Sequence, residues 1–111
     1  MMKTFKKGES IMNSLPDIHD IQKTVSLLGS QYGAERIYLF GSYARGEAVE
    51  DSDIDLRIDR GNIRGWALGG LLSDLEDHFH KKVDLLTTGS LQKDFLDSIK
   101  KEEVLLYERK S

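Results

Sequence analysis

The stretch that decides the fold is residues 41–59, which read GSYARGEAVEDSDIDLRID. It follows the run Arg36–Phe40, whose branched and aromatic residues indicate a buried strand that ends at a glycine. Residues 42–45 are typical of the start of a short helix, and Glu47–Ser52 is polar and turn-like. Apolar and polar residues then alternate along 54–59, as in a strand with one buried face. The stretch therefore predicts a strand, a helical turn, a loop and a second strand.

Helices and further strands are predicted on both sides of this stretch, so we expect an α/β (α+β) fold with a small mixed sheet and flanking helices. Ser14 and Asp17 resemble a capping box, with Pro16 in the first turn. Ser90 with Asp94 gives a second such pattern. The predicted elements are a helix with Ile18, Ile21, Val25, Leu28 and Tyr32 on its apolar face and Gly33 as C-cap, a helix with Leu68, Leu71, Leu72, Leu75 and Phe79, a strand Val83–Thr87, a helix with Leu91, Phe95 and Ile99, and a last strand Val104–Tyr107.

Length, charge and composition exclude several classes of protein. The 111 residues favour one domain, which we place at 14–111 after a flexible leader at 1–13. A net charge of -3 disfavours general binding of nucleic acid. The chain has no cysteine, which favours a cytoplasmic location. It has no apolar run near the roughly 20 residues that a membrane helix needs, so we expect no membrane association.

Gly41 and Ser42 form the first candidate site. A glycine lets the backbone approach a phosphate closely, and free N–H groups at a helix start favour an anion. The hydroxyl of Ser42 adds a donor. Taken alone, the pair is more often a simple turn.

Asp53 and Asp55 form the second candidate site. Residues two apart on a strand share a face with Cα atoms roughly 6.5 to 7 Å apart, so both carboxylates can reach one pair of hard cations. Two such ions can hold the attacking and leaving oxygens of a phosphoryl transfer. The other interpretation is a solvated polar strand face, shared with Arg57 and Asp59.

Asp84 is the third candidate, because it lies inside an apolar strand between Val83 and Leu85. By itself it indicates edge exposure or an ion pair with Lys81 or Lys82. If its strand neighbours that of Asp55, the three acids form one cluster, which repels itself unless divalent cations neutralise it.

The combination in this order, Gly41-Ser42, then Asp53-x-Asp55, then a strand aspartate, is more specific than any of its parts. It closely resembles the motif of the DNA polymerase β superfamily, and in particular the minimal nucleotidyltransferases of prokaryotes. The Ala-Arg-Gly after the serine and the Lys-Val-Asp-Leu-Leu around Asp84 agree with that pattern. The resemblance covers roughly residues 18–107.

The resemblance implies a role for each motif residue. Gly41 and Ser42 would hold the triphosphate of ATP, and Asp53 and Asp55 would bind two Mg²⁺ ions. Asp84 would share the catalytic metal and help take the proton from the acceptor hydroxyl. Arg45 is a candidate phosphate ligand, with a surface ion pair to Glu47 or Glu50 as the alternative.

The same resemblance implies an antitoxin that transfers AMP from ATP to a tyrosine of a cognate HEPN ribonuclease toxin, with which it would form a hetero-oligomer. Two alternatives stay open: a transferase acting on a small molecule such as an aminoglycoside, and a non-catalytic antitoxin that acts by binding. Trp66, at the start of the predicted helix 68–79, could stack on a base, but a contact in the core or with a partner is favoured. No segment can be assigned to reading the nucleobase.

Overall fold

The computed structural model describes residues 15–110 and has the predicted order of elements. Among these residues, no helix is both long and apolar enough to cross a membrane. The elements are α1 (Ile18–Tyr32), β1 (Arg36–Phe40), α2 (Gly41–Arg45), β2 (Ile54–Asp59), α3 (Gly65–Phe79), β3 (Val83–Thr87), a 3-10 turn (Thr88–Ser90), α4 (Lys93–Lys100) and β4 (Val104–Glu108).

The four strands form one mixed sheet in the order β3-β2-β1-β4. β1 is antiparallel to both β2 and β4, whereas β2 and β3 run parallel. The parallel register pairs Asp55 with Asp84 across the two strands, and the antiparallel register pairs Asp55 with Phe40, the residue before Gly41. The sheet therefore brings the three segments of the sequence motif side by side.

The hydrophobic core lies between one sheet face and the helices α1 and α3. Alternation along the strands sends every second side chain to this face, because successive strand residues point to opposite sides. The helices contribute apolar residues at helical spacing. Its fully buried members include Ile21, Val25, Ile37, Leu39, Ile54, Leu56, Ile58, Leu71 and Leu75.

The opposite sheet face carries polar side chains, but α4 and the turn after it cover part of it. The ring of Phe95 on α4 packs edge-to-face on Phe40, with centroids 6.1 Å apart. Arg57 is only 3% exposed on this face. Its guanidinium donates to both Glu103 oxygens, at 3.0 and 2.7 Å, and lies 4.0 Å from the centre of the Tyr38 ring. The polar face of β2 is thus partly an interior surface.

The helix ends differ in part from their predicted positions. The N-cap of α1 is Asp17, whose Oδ1 accepts from the N–H of Asp20 at 2.8 Å, so Pro16 precedes the helix rather than lying in its first turn. Ser14, like the predicted leader, lies outside the described residues. Gly33 is the C-cap, as predicted, with φ +88°.

The second capping prediction, Ser90 with Asp94, is wrong. Ser90 belongs to the 3-10 turn, where its hydroxyl donates to the carbonyl of Thr87 at 2.8 Å. This local hydrogen bond competes with capping. α4 begins at Lys93 with Gln92 as N-cap and no side-chain cap, so Leu91 lies outside the helix.

Candidate active site

Gly41 connects β1 to α2 at the centre of the candidate site. Its φ is +75°, a left-handed conformation that glycine adopts at little cost. A Cβ at this position would overlap the carboxylate of Asp55, since its closest neighbour would be Asp55 Oδ2. The backbone conformation and the lack of room for a Cβ therefore both require glycine. The start of α2 consequently lies directly against the carboxylate of Asp55 on β2. Ser42 follows in the first turn of α2, half-buried.

Asp55 and Asp84 lie next to each other on the polar face of the sheet. They are register partners on the parallel strands β2 and β3, so their side chains project to the same side. A hydrogen bond between the two carboxyl groups contributes to raising the pKa of Asp55. Asp84 therefore lies beside Asp55. The sequence predicted this only on the condition that the strands β2 and β3 are neighbours.

Asp53 lies at the edge of the same cluster, just before β2. The ammonium of Lys82 is 3.9 Å from Asp53 Oδ2 and 3.7 Å from Asp84 Oδ1. One of the alternatives considered for Asp84, an ion pair with Lys82, is therefore present, and the lysine lies between two of the acids. The side chains of Asp53 and Asp84 are each 39% exposed, so the cluster is open to solvent.

Burial of Asp55 raises the pKa of its carboxyl from 3.8 to about 6. The hydrogen bond with Asp84 and the negative charges of Asp84 and Asp53 act in the same direction, while the positive charge of Arg45 opposes them. A cluster of acids that resists ionisation is stabilised by cations. The donor set, three carboxylates, also suits Mg²⁺, which prefers oxygen ligands.

The acids do not form a complete metal cage. Within residues 15–110, no three His, Asp or Glu side chains converge as a ready-made ligand set. This arrangement still fits Mg²⁺, because that ion usually takes one or two carboxylates and completes its shell with water and substrate phosphates. Asp55 and Asp84, with Asp53 beside them, are the residues that could hold it.

Arg45 ends α2 and is held by two carboxylates. Its Nε donates to Glu47 Oε1 at 2.9 Å, and its Nη1 donates to the two oxygens of Glu102 at 3.2 and 3.1 Å. The alternative given for Arg45 as a phosphate ligand, a surface ion pair with Glu47, is therefore present. The contact between Arg45 and Glu102 was not predicted from the sequence, because Glu102 lies in the turn between α4 and β4, far along the chain.

The raised pKa predicts that Asp55→Asn stabilises the protein. The folded state binds the proton more tightly than the unfolded chain, so the stability penalty is absent below the unfolded pKa of 3.8 and develops as the pH rises through about 6. The shift corresponds to about 3 kcal/mol for an enclosed group, and partial exposure reduces this to about 1 kcal/mol. Urea unfolding should show that gain at pH 8 and almost none at pH 4. An equal gain at both pH values would contradict the assigned cause.

Comparison with known proteins identifies the domain. The family model for polymerase β nucleotidyltransferases matches residues 22–111. The chain belongs to the polymerase β nucleotidyltransferase family. The predicted fold class, the family resemblance and the enzyme class are thereby confirmed. The segment Gly41–Asp59 and the strand of Asp84 lie within the matched part of this nucleotidyltransferase.

Several relatives of this nucleotidyltransferase carry a more specific name. A proposed protein adenylyltransferase of Methanocaldococcus jannaschii is 35% identical over 98 residues, covering 85% of this chain and 98% of that protein. The protein adenylyltransferase MntA of Thermococcus cleftensis is 36% identical over 78 residues, covering 69% of this chain and 79% of that one.

Solved structures show the same fold. A proposed minimal nucleotidyltransferase superposes with a TM-score of 0.71 at 29% identity, covering 80% of this chain and 95% of the other. A complex of tri-AMPylated HEPN toxin with its MNT antitoxin from Shewanella oneidensis matches with a TM-score of 0.62 at 21% identity, covering 80% of this chain and 71% of that one. At that identity, the second likeness supports the fold.

Proposed function

We propose that this nucleotidyltransferase is an antitoxin that transfers AMP from ATP, with Mg²⁺, to a tyrosine hydroxyl of a cognate HEPN ribonuclease toxin. The observation that carries the proposal is the placement of Asp53, Asp55 and Asp84 together, directly beside Gly41 at the start of α2. The names of the protein adenylyltransferase relatives support the choice of AMP and of a protein acceptor.

The donor side of the reaction uses the start of α2. Gly41, whose own N–H donates to Glu102, lets the backbone come close to the triphosphate, and the Ser42 hydroxyl is a donor to it. Arg45 adds a positive charge at the other end of the short helix. Asp53 and Asp55 would hold Mg²⁺, and Asp84 would share the catalytic metal ion. When bound, the metal neutralises the phosphates and stabilises the attacking and leaving oxygens.

In the transfer step, the tyrosine oxygen forms a bond to the α-phosphorus of ATP, and the bond to the β-phosphate oxygen breaks. Pyrophosphate leaves with the bonding electron pair. The hydroxyl proton passes to Asp84, which lies at the exposed side of the cluster and is hydrogen-bonded to Asp55. The chain's contribution is to orient the donor and to accept this proton.

A folded protein is an acceptor that suits the exposure of the cluster. Two of the three acids are 39% exposed, so a tyrosine on a protein surface can reach them. Docking of the two proteins would supply the orientation that the reaction requires. The attached phosphoester would add bulk and negative charge where a ribonuclease binds an RNA phosphate, which is sufficient to block the toxin.

The first test is calorimetry of Mg²⁺ and ATP with the purified protein. We expect weak binding of Mg²⁺ alone and firm binding of Mg-ATP, because the metal takes phosphate oxygens as ligands. The variant Asp53→Asn/Asp55→Asn should bind Mg-ATP at least about tenfold more weakly. The matched control Asp77→Asn/Asp97→Asn removes the same charge from exposed helix positions and should bind as wild type does. Equal affinity in all three proteins would count against the site.

A second test separates catalysis from neutralisation by binding alone. The neighbouring gene is expected to encode the toxin, a short helical protein. Cells that express this toxin should survive with wild-type antitoxin and stop growing with Asp53→Ala/Asp55→Ala. Full protection by the double variant, present at the wild-type level, would mean that the antitoxin acts as a binding protein.

A further inference from the structure

Glu102 connects two parts of the candidate site through a single carboxylate. Its Oε2 accepts a hydrogen bond from the backbone N–H of Gly41 at 2.9 Å. The same carboxylate accepts from Arg45 Nη1 at 3.1 and 3.2 Å. One side chain from the C-terminal part of the chain therefore holds both the first and the last residue of α2.

The position of Glu102 is fixed by its neighbour in the same turn. Glu103 makes two hydrogen bonds to the buried guanidinium of Arg57. The N–H groups of Glu102 and Glu103 both donate to the carbonyl of Ile99 at the end of α4, and Ile99 itself is buried. A paired charge in the interior tolerates little displacement, since moving it would leave Arg57 unpaired. The turn is therefore held in place by these contacts, and it fixes the position of Glu102 next to α2.

The charge of Glu102 is maintained by the groups that it holds. The N–H of Gly41 lowers the pKa of the Glu102 carboxyl most strongly; burial opposes it, and the guanidinium of Arg45 lowers the pKa further. Hydrogen bonds to an ionised acceptor are shorter and stronger than neutral ones. Glu102 thus restrains α2 as a carboxylate in the neutral range.

The two carboxylates around Arg45 determine which edge of its guanidinium is available. Glu47 occupies Nε and Glu102 occupies Nη1, so among residues 15–110 these contacts leave Nη2 as the donor without an assigned partner. The positive charge of Arg45 is also felt at Asp55, where it lowers the pKa. The planar fork is therefore held in one orientation close to the acid cluster.

We propose that Glu102 is a positioning residue of the nucleotidyltransferase site, which fixes the start of α2 and the guanidinium of Arg45 for the triphosphate. This inference rests on the proposed function, because it takes the turn Gly41-Ser42 and Arg45 as the part of the chain that binds the nucleotide. Glu102 acts through Arg45 and the Gly41 backbone and is not itself a ligand of substrate or metal.

The test compares steady-state kinetics of AMP transfer for Glu102→Ala, Glu102→Gln and wild type. Loss of a charge-assisted hydrogen bond to both groups should raise KM for Mg-ATP about tenfold in Glu102→Ala, with a smaller fall in kcat. Glu102→Gln keeps an acceptor oxygen and should recover part of the loss. Asp97→Asn, a control on α4 with the same change of charge, should match wild type. Melting temperatures of all variants separate the kinetic effect from unfolding.

A double-mutant cycle with Arg45→Ala shows whether Glu102 acts on KM through Arg45 or through the backbone of Gly41. If Glu102 acts mainly through Arg45, the increase in KM caused by Glu102→Ala should be several-fold smaller in the Arg45→Ala background. A lower KM in Glu102→Ala would overturn the proposal, because it would mean that the carboxylate competes with the triphosphate. An unchanged KM would overturn it as well. Absence of AMP transfer by the wild-type protein would instead contradict the proposed function.

Discussion

Asp55→Asn is expected to lower the rate of AMP transfer at least about 100-fold, because it removes a proposed metal ligand from the centre of the acid cluster. The same substitution should make the fold more stable at pH 8, since the carboxyl of Asp55 is held in the folded state with its pKa raised to about 6. Pyrophosphate release and urea unfolding, measured on the same preparation, check the two effects together.

Because these two effects have opposite directions, they distinguish the loss of a functional group from misfolding. A variant that is inactive because it is misfolded would lose both activity and stability. Where a functional residue lowers the stability of the fold, its substitution reduces activity and increases the free energy of unfolding. Asp94→Asn, which removes an exposed acid from α4, serves as the control and should leave the transfer rate unchanged. Near-wild-type transfer by Asp55→Asn would remove the acid cluster from the mechanism.

Gly41→Ala is expected to reduce the affinity for Mg-ATP by at least about tenfold. The new methyl group would overlap the carboxylate of Asp55, so either the acid or the start of α2 must move. The residue also has φ +75°, which costs an alanine roughly 1 kcal/mol in addition to the steric effect. Calorimetry gives the affinity, and chemical unfolding gives the stability.

Gly46→Ala is the matched control for this variant. Gly46, the C-cap of α2, has the same φ of +75°, but a Cβ there would meet nothing within 4 Å. Both variants lose stability because alanine disfavours the left-handed backbone conformation, and only Gly41→Ala disturbs Asp55. Similar loss of nucleotide affinity in the two variants would mean that backbone strain, and not the close approach to Asp55, is responsible.

The sequence carried enough information to predict the sheet and the relation between its acids. Alternation in β2 indicated that Asp55 points away from the apolar face, and the core residues Ile54, Leu56 and Ile58 confirm that alternation. The position of Asp84 beside Asp55 followed only if β3 neighboured β2. Strand order is set by the packing of the whole chain, so short-range patterns left it conditional.

The residues that the sequence did not reveal depend on long-range contacts. The alternative interpretation of β2 placed Arg57 on a solvated strand face, yet it is buried because the turn after α4 brings Glu103 to it. Glu102 reaches Gly41 from the same turn. No local spacing rule relates residues so far apart in the chain. Trp66 shows the converse: it was expected in the core or at a partner contact, and at 82% exposure it does not belong to the core.

The most direct test of the proposed AMP transfer is the intact mass of the proposed HEPN toxin after incubation with this protein, ATP and Mg²⁺. We predict a gain of one or more whole AMP units, which peptide mapping assigns to a tyrosine, and no gain with Asp53→Ala/Asp55→Ala. A partner that forms a stable complex with the wild-type protein and keeps its unmodified mass would contradict AMP transfer. A gain that persists with the double variant would contradict the role of the acid cluster.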